Sequence, residues 1–445
     1  MATRLSPPTI EEPPEPPHAA VAEALAVGDA RPPPRGRQRF SMRTFDSLRE
    51  REFRWYFLAM LGQMAGMNMQ MLVRGYLVFE LTDSFAALGV IGLVSAIPVV
   101  ALSLVGGVIA DRAPRKIVLQ LGQAANVLLA VAMAALLFAD VLRFEHLVVA
   151  SFIQGTVMAL MMPSRQAMVP EVVAPARLMN AVALNAAGMN LMRLLAPAGG
   201  GFIVAISGAA WAYVLMATLY AVAIVALMPV PGRPAAQQAP TGRSARSSGA
   251  ADLIDGLRYV VRDRVMFALV SVSFVTAILS MPYLMMLPGF VSDILDGGAT
   301  ELGLLMAISG AGSLLGSLVI ASMPERRRGL LYLLSAIFLG VALLAFAASG
   351  TFVISAAVMV LVGIGTAGRQ TLGNVLLQSY VEDRYRGRVM SIWMTQWGIM
   401  SGGTLFVGLV AERVGIQVAL GGLAAALIAF TLAVLVLVPR VRRIA

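Results

Sequence analysis

Long apolar runs, separated by short charged loops, constrain this chain more than any other feature. "VIGLVSAIPVVALSLVGGVIA", residues 90–110, is one of them. A bilayer core of about 30 Å needs about 20 helical residues, so such a run is long enough to cross a membrane. Inside lipid the backbone must satisfy its own hydrogen bonds, which leaves helices or closed barrels. A barrel strand would alternate polar and apolar residues, and this run does not. Charged residues make up 13% of the chain against about 25% in soluble domains, which excludes a large soluble enzyme.

About twelve spans follow from this reading: 53–79, 85–110, 117–139, 146–168, 181–206, 209–230, 265–291, 301–323, 330–349, 351–373, 389–411 and 415–438. An even number puts both termini on one side. Apart from Arg74 and Arg193, which sit inside spans, nearly all basic residues fall in alternate loops. One side holds the N-terminal tail, Arg112, Arg115, Lys116, Arg177, the 233–264 linker, Arg326–Arg328, Arg384–Arg388 and Arg440–Arg443. The other holds Arg143 and Arg413 among Asp83, Asp140, Asp293, Asp296 and Glu301. The positive-inside rule places both termini in the cytoplasm and accounts for the net charge of +10. Nucleic-acid binding is not expected, because no basic patch on a recognition fold is visible.

"PVPGRPAAQQAPTGRSARSSGA" at 229–250 reads as a linker. The spans divide six and six around it, and the halves echo each other at an offset of roughly 210. "REFRWYFLA" (51–59) returns as "RDRVMFALV" (262–270), and "GGVIADRAPRK" (106–116) returns weakly as "GSLVIASMPERRR" (316–328). Paired six-helix repeats with a site between them are one transporter design. The proline-rich N-terminus is too polar to form a core. The expected organisation is a disordered cytoplasmic tail over 1–50, a six-helix bundle over 51–230, a cytoplasmic linker over 231–262, a second bundle over 263–439, and a basic cytoplasmic tail over 440–445.

The loop between spans two and three packs Asp111, Arg112, Arg115 and the chain's only lysine, Lys116, into six positions. With Gly107 it resembles G-x-x-x-D-R-x-G-R-K/R, the pattern of that loop in the major facilitator superfamily, with Pro114 in place of the second glycine. The resemblance covers about residues 50–440. It implies an all-α membrane protein of about twelve helices in two pseudo-two-fold related six-helix bundles. It also implies that Asp111 latches the cytoplasmic ends of the halves by facing the start of span eleven, near Met390. An acid there meets the partial positive charge of a helix N-terminus. Gly107 is expected to let span two approach a neighbour closely. In the second half Ser322 stands where the acid would be, so the latch is one-sided.

"LLAPAGGGF" (194–202) in span five resembles G-P-x-x-G-G, a pattern of the superfamily's exporting antiporters, with Ala196 for the first glycine. Pro197 and Gly199–Gly201, Gly200 and Gly201 above all, are expected to bend the helix and pack it tightly. Together with "ELTDS" (80–84) and "YRGRVMS" (385–391), these residues make the chain similar to the siderophore- and drug-exporter branch.

Ionisable groups inside a membrane are functional candidates by default. Arg193, near the middle of span five and close to Asn190 and Asn185, is expected to face a central cavity. Gln63, Met67, Gln70 and Arg74 form a polar stripe on span one. Met60, Met64, Met67 and Met71 run beside it as an adaptable apolar surface, or equally as packing. Trp393, Gln396, Trp397 and Thr404 share a face of span eleven that could line the opposite wall. Many drug–proton antiporters of the superfamily carry Arg-x-x-Gln-Gly in span four; here Ser151 replaces the arginine before Gln154 and Gly155. No Asp or Glu lies near any midplane, which leaves Glu80 at the mouth of span one as the weak coupling candidate. His18 and His146 lie in tail and loop, and there is no cysteine, so no metal site or thiol chemistry is expected.

A primary pump is excluded by the lack of a phosphate-binding G-x-x-x-x-G-K-[ST] loop. An embedded enzyme is excluded by the lack of a nucleophile with a nearby base. The expectation is an inner-membrane exporter of an amphipathic small molecule, coupled to protons, acting as a monomer without cofactor. An importer on the same fold and a non-transporting receptor or scaffold are the alternatives.

Overall fold

The computed structural model describes residues 42–232, 249–323 and 327–443. The side chains of Asp111, Trp393, Trp397 and several neighbours in 383–401 lie outside the described residues. Six long helices precede the linker: α1 (Arg51–Thr82), α2 (Phe85–Arg112), α3 (Arg115–Phe138), α4 (Phe144–Met168), α5 (Leu178–Ser207) and α6 (Ala209–Leu227). A short α7 (Gly249–Arg262) follows. Then come α8 (Arg264–Ser280), α9 (Pro282–Leu295), α10 (Ala299–Ser322), α11 (Arg328–Ala347), α12 (Phe352–Tyr380), α13 (Asp383–Val414) and α14 (Ile416–Leu437). Ten segments are long and apolar enough to cross a membrane. The two 32-residue helices α1 and α13 fall outside that set. Their polar residues are the reason, and both helices lie where the halves meet.

The seventh span is not one helix. It stops at Ser280 and restarts at Pro282 as α9, with Pro288 inside; each proline removes an N–H from the ladder. Three domain boundaries also shift. The tail expected over 1–50 is structured from Met42: a 3-10 helix runs to Arg49, and Arg177 pairs with Asp46 and Glu50. The linker expected over 231–262 ends in α7, which packs on α13. In the basic tail expected over 440–445, Val441 is buried and begins a 3-10 turn.

The halves repeat the same packing. α2 against α4 matches α10 against α12, and α3 against α6 matches α11 against α14. The turns repeat as well. Left-handed Asp83 closes α1 and left-handed Asp296 closes α9, while Gly208 and Gly415, both at positive φ, join the last two helices of each half. A one-residue turn at φ near 90° suits glycine, which has no Cβ to clash.

Between the halves, α2 packs on α13 and α5 on α10. These contacts gather at the end of the molecule that carries the Asp83, Gly208, Asp296 and Gly415 turns. There one hydrophobic core crosses both halves, with Leu72, Phe79, Phe85 and Leu88 packed among Met286, Phe290, Leu302 and Val407. At the other end, which carries the Asp111–Lys116 loop, the described residues form two separate cores. One holds Phe53, Tyr56, Leu119 and Leu227; the other holds Met266, Leu269, Leu333 and Leu376. The first end is closed, and the second is divided.

Candidate functional site

Glycines let the closed end shut. A Cβ on Gly89 of α2 would stand 2.7 Å from Leu405 Cα of α13, and one on Gly408 would meet the Phe85 carbonyl. Across the second contact, a Cβ on Gly303 of α10 would lie 2.7 Å from the Pro197 carbonyl oxygen, and one on Gly201 would meet that of Ala299. Gly200 faces Met69 of α1, whereas Gly199 has nothing within 4 Å. Of the glycine run, only Gly200 and Gly201 make close contacts. α5 remains one continuous helix through Pro197.

Glu412, at the exposed end of α13, adds a polar contact between the halves. Its carboxylate accepts the Ser84 hydroxyl at 2.5 Å and the Ala86 N–H at 3.1 Å, at the N-terminus of α2. Ser84 in turn accepts the Ala87 N–H at 3.1 Å. These donors hold the Glu412 carboxyl below the usual range. Asp293 nearby is pushed up, by burial first and then by Asp83 and Glu412.

The loop at the divided end behaves differently. Arg115 pairs with Glu171 and donates to the Ala167 carbonyl at 3.0 Å, tying α3 to the α4–α5 connection. Lys116 donates to the Met228 carbonyl at 2.6 Å, just past the end of α6. Arg112 is exposed. Every one of these contacts stays within one half. Gly107 has nothing within 4 Å in this conformation; it is Gly106 that packs against Ala159 of α4. The expected close approach at Gly107 is absent here; the neighbouring Gly106 makes it instead.

Between the two ends the described residues include four arginines inside the spans, where the sequence pointed to two. Arg193 is exposed on α5. The outward stripe of that helix is Leu191, Leu195, Phe202 and Ile206, each 47% exposed or more. At 3.6 residues per turn Arg193 falls on the side opposite these four, the side on which Met179 and Val182 are also exposed nearer the start of the helix. Asn190 is exposed, and the Asn185 Oδ1 is buried without a partner.

The expected stripe on α1 divides. Gln63 and Met67 are half-buried, whereas Gln70 is buried and accepts the Tyr220 hydroxyl of α6 at 3.1 Å. Gln154 reaches the same hydroxyl. Arg74 lies beside Tyr213 and Tyr220, with its Nη1 buried and unpartnered. Met60 and Met64 are buried in packing, while Met71 lines a crevice with Arg74. Leu88 of α2, Met285 and Pro288 of α9, and Met306 of α10 also line that crevice, which lies between helices of the two halves. Glu80 lies outside it, accepting the Tyr76 hydroxyl at 3.5 Å.

The second half holds a matching group that the sequence reading missed. Arg369 of α12 is 5% exposed, lies beside Tyr283 and Tyr332, and leaves Nε unpartnered. Tyr283 hydrogen-bonds Ser309 at 3.4 Å. Arg165 of α4, also missed, donates to Met64 Sδ at 3.7 Å. Both arginines fall inside the spans drawn from sequence, so their positions were the available signal. Gln396 accepts the Ser273 hydroxyl at 3.3 Å and is buried within its own half, not set on an open wall. Thr404 is buried at the α2–α13 contact.

Comparison with known proteins agrees with this geometry. Residues 42–444 match the family model described as transmembrane secretion effector. The staphyloferrin A transporter of Staphylococcus aureus is 24% identical over 74% of this chain and 82% of that protein. The enterobactin exporter EntS of Shigella boydii is 26% identical over 66% of this chain and 69% of its own length. Among solved structures, the peptide transporter POT in complex with sulfate superposes with a TM-score of 0.68 at 15% identity, covering 89% of this chain and 95% of that one. A bacterial homologue of the lysosomal transporter Spinster, in an inward-facing and unoccupied conformation, gives 0.64 at 15%, covering 90% and 97%.

Proposed function

Because the chain belongs to the transmembrane secretion effector family of major facilitator transporters, we propose that it exports an amphipathic, siderophore-like small molecule across the bacterial inner membrane. The proton-motive force drives it by alternating access. The observation that carries this reading is the contrast between the ends: one core joins the halves at one end, and two separate cores stand at the other. Arg193 would face the space between. Basic loops cluster at the divided end, so the positive-inside bias makes that end, with both termini, cytoplasmic. The cavity would then load from inside. Asp111 would close that end on α13 once the halves rock together, and Glu412 would release the other. Export is favoured over import by the relative named as an enterobactin exporter and by the Pro197–Gly201 pattern.

Everted vesicles, energised by respiration, test the proposal with enterobactin and staphyloferrin A as cargo. Vesicles carrying the wild-type chain are expected to accumulate at least one of them. Arg193→Ala is expected to abolish accumulation without lowering protein abundance or melting temperature. Accumulation only in right-side-out vesicles would make the chain an importer, and wild-type rates from Arg193→Ala would remove that residue from the route.

A further inference from the structure

The spans carry positive charge with no negative charge to match it. Arg74, Arg165, Arg193 and Arg369 lie within helices, and among the described residues no carboxylate pairs with any of them. Removing an ion from water costs several kcal/mol unless a counter-ion replaces the lost solvation. Arg74 and Arg369 each have two tyrosines for company, yet Arg74 Nη1 and Arg369 Nε remain unpartnered. A tyrosine hydroxyl is a dipole, not a counter-charge. If packing were all that mattered, glutamine or methionine would fill these positions at lower cost.

The missing charge must therefore come from something that is not always present. Arg74 lines the crevice between the halves, and the rest of that wall is apolar, with methionine from α1, α9 and α10. The crevice holds only about 20 Å³ in this conformation, room for about one water, so it would take a ligand only after widening as the closed end opens. A charged point beside a soft apolar wall then suits an anionic head and an apolar body. A guanidinium also offers a carboxylate or sulfonate two parallel donors, which an ammonium does not.

We propose that the cargo is an organic anion. Its carboxylate or sulfonate rests on Arg74 and its body on Met71, Met285 and Met306, while Arg193 and Arg369 neutralise further acidic groups. A cationic or neutral cargo would leave the buried guanidinium uncompensated. This assignment rests on the transport reading and names its substrate class.

The test uses three probes of one shape: 1-naphthoate, 1-naphthylmethanol and 1-naphthylmethylammonium. Each is added to the full chain in lipid nanodiscs while the melting temperature is followed. Naphthoate at saturation is expected to raise it by about 2–4 °C or more, and the alcohol and the amine are expected to leave it unchanged. Arg74→Gln should lose the shift, and Arg74→Lys should retain part of it. Without ligand, Arg74→Gln should melt no lower than wild type, since an unpaired buried charge has been removed. Equal shifts with naphthoate and the alcohol, a shift retained in Arg74→Gln, no shift with naphthoate, or a lower ligand-free melting temperature in Arg74→Gln would each overturn the assignment. Vesicle transport reads separately: siderophore accumulation without a naphthoate shift sinks the anion site alone, and a shift without accumulation sinks the transport reading alone.

Discussion

At the closed end α2 and α13 lie glycine to backbone, one core runs through both halves, and Glu412 of the second half holds the N-terminus of α2. At the divided end each of the same two helices contacts its own half: beyond α2, Arg115 pairs with Glu171 and Lys116 reaches Met228, and in α13 Arg388 pairs with Asp255. The apolar contact provides most of the closure, because burial is worth roughly 25 cal/mol per Å². A single exposed acid at a helix terminus adds much less. The difference teaches that the glycine-lined faces make closure possible, while Glu412, near the end of α13, adds a polar contact to the N-terminal end of α2.

The chain has no cysteine, so a single introduced thiol reports on either end. Val407→Cys, buried at the closed end, is the reporter for an impermeant maleimide. Gly201→Leu should break the comparison most, because the new side chain meets the Ala299 backbone. Overpacking of that kind costs about 1–3 kcal/mol. Labelling at position 407 should rise about tenfold or more, and vesicle transport should fall with it; unchanged labelling would remove the α5–α10 contact from the closure.

Asp111→Asn comes next. It should lower transport about tenfold, equivalent to about 1.4 kcal/mol, and leave labelling at position 407 at or below the wild-type level, because the state that opens the far end is disfavoured. Raised labelling would place Asp111 on the wrong side of the cycle.

Glu412→Gln should have the smallest effect, a two- to fivefold rise in labelling, the worth of about 0.3–1 kcal/mol. The sign with pH follows from the depressed carboxyl. The contact is fully present above the ordinary glutamate range and is lost as pH falls through the lowered value. Acidifying the outer face should therefore raise labelling in the wild type and leave Glu412→Gln flat. Asp293, raised by burial and then by Asp83 and Glu412, also changes charge with pH, so Asp293→Asn is the control that separates its repulsion from loss of the bond.

The spans were legible because lipid leaves the backbone few options, and the two polar helices α1 and α13 were readable from their polar faces. The break before Pro282 was written in the sequence but hidden by the unbroken apolar run around it. Arg165 and Arg369 were overlooked because charges near span ends read as loop charges, and Arg369 becomes an interior residue only when α12 is seen to run on to Tyr380. Glu412 could not be found this way at all. Its role depends on which helix of the other half lies opposite, and that is set by glycines whose importance shows only once the helices have been paired. Gln396 misled for the same reason: a polar residue on a helix face can satisfy a neighbour in its own half as readily as line a cavity.

The surplus of guanidinium inside the spans has an electrical consequence. A bacterial cytoplasm is negative relative to the outside, and each elementary charge crossing that field gains or loses about 2.3 kcal/mol per 100 mV. An anion leaving the cell moves down this voltage. For the organic anion proposed as cargo, the field alone would then drive export without an acid at mid-depth.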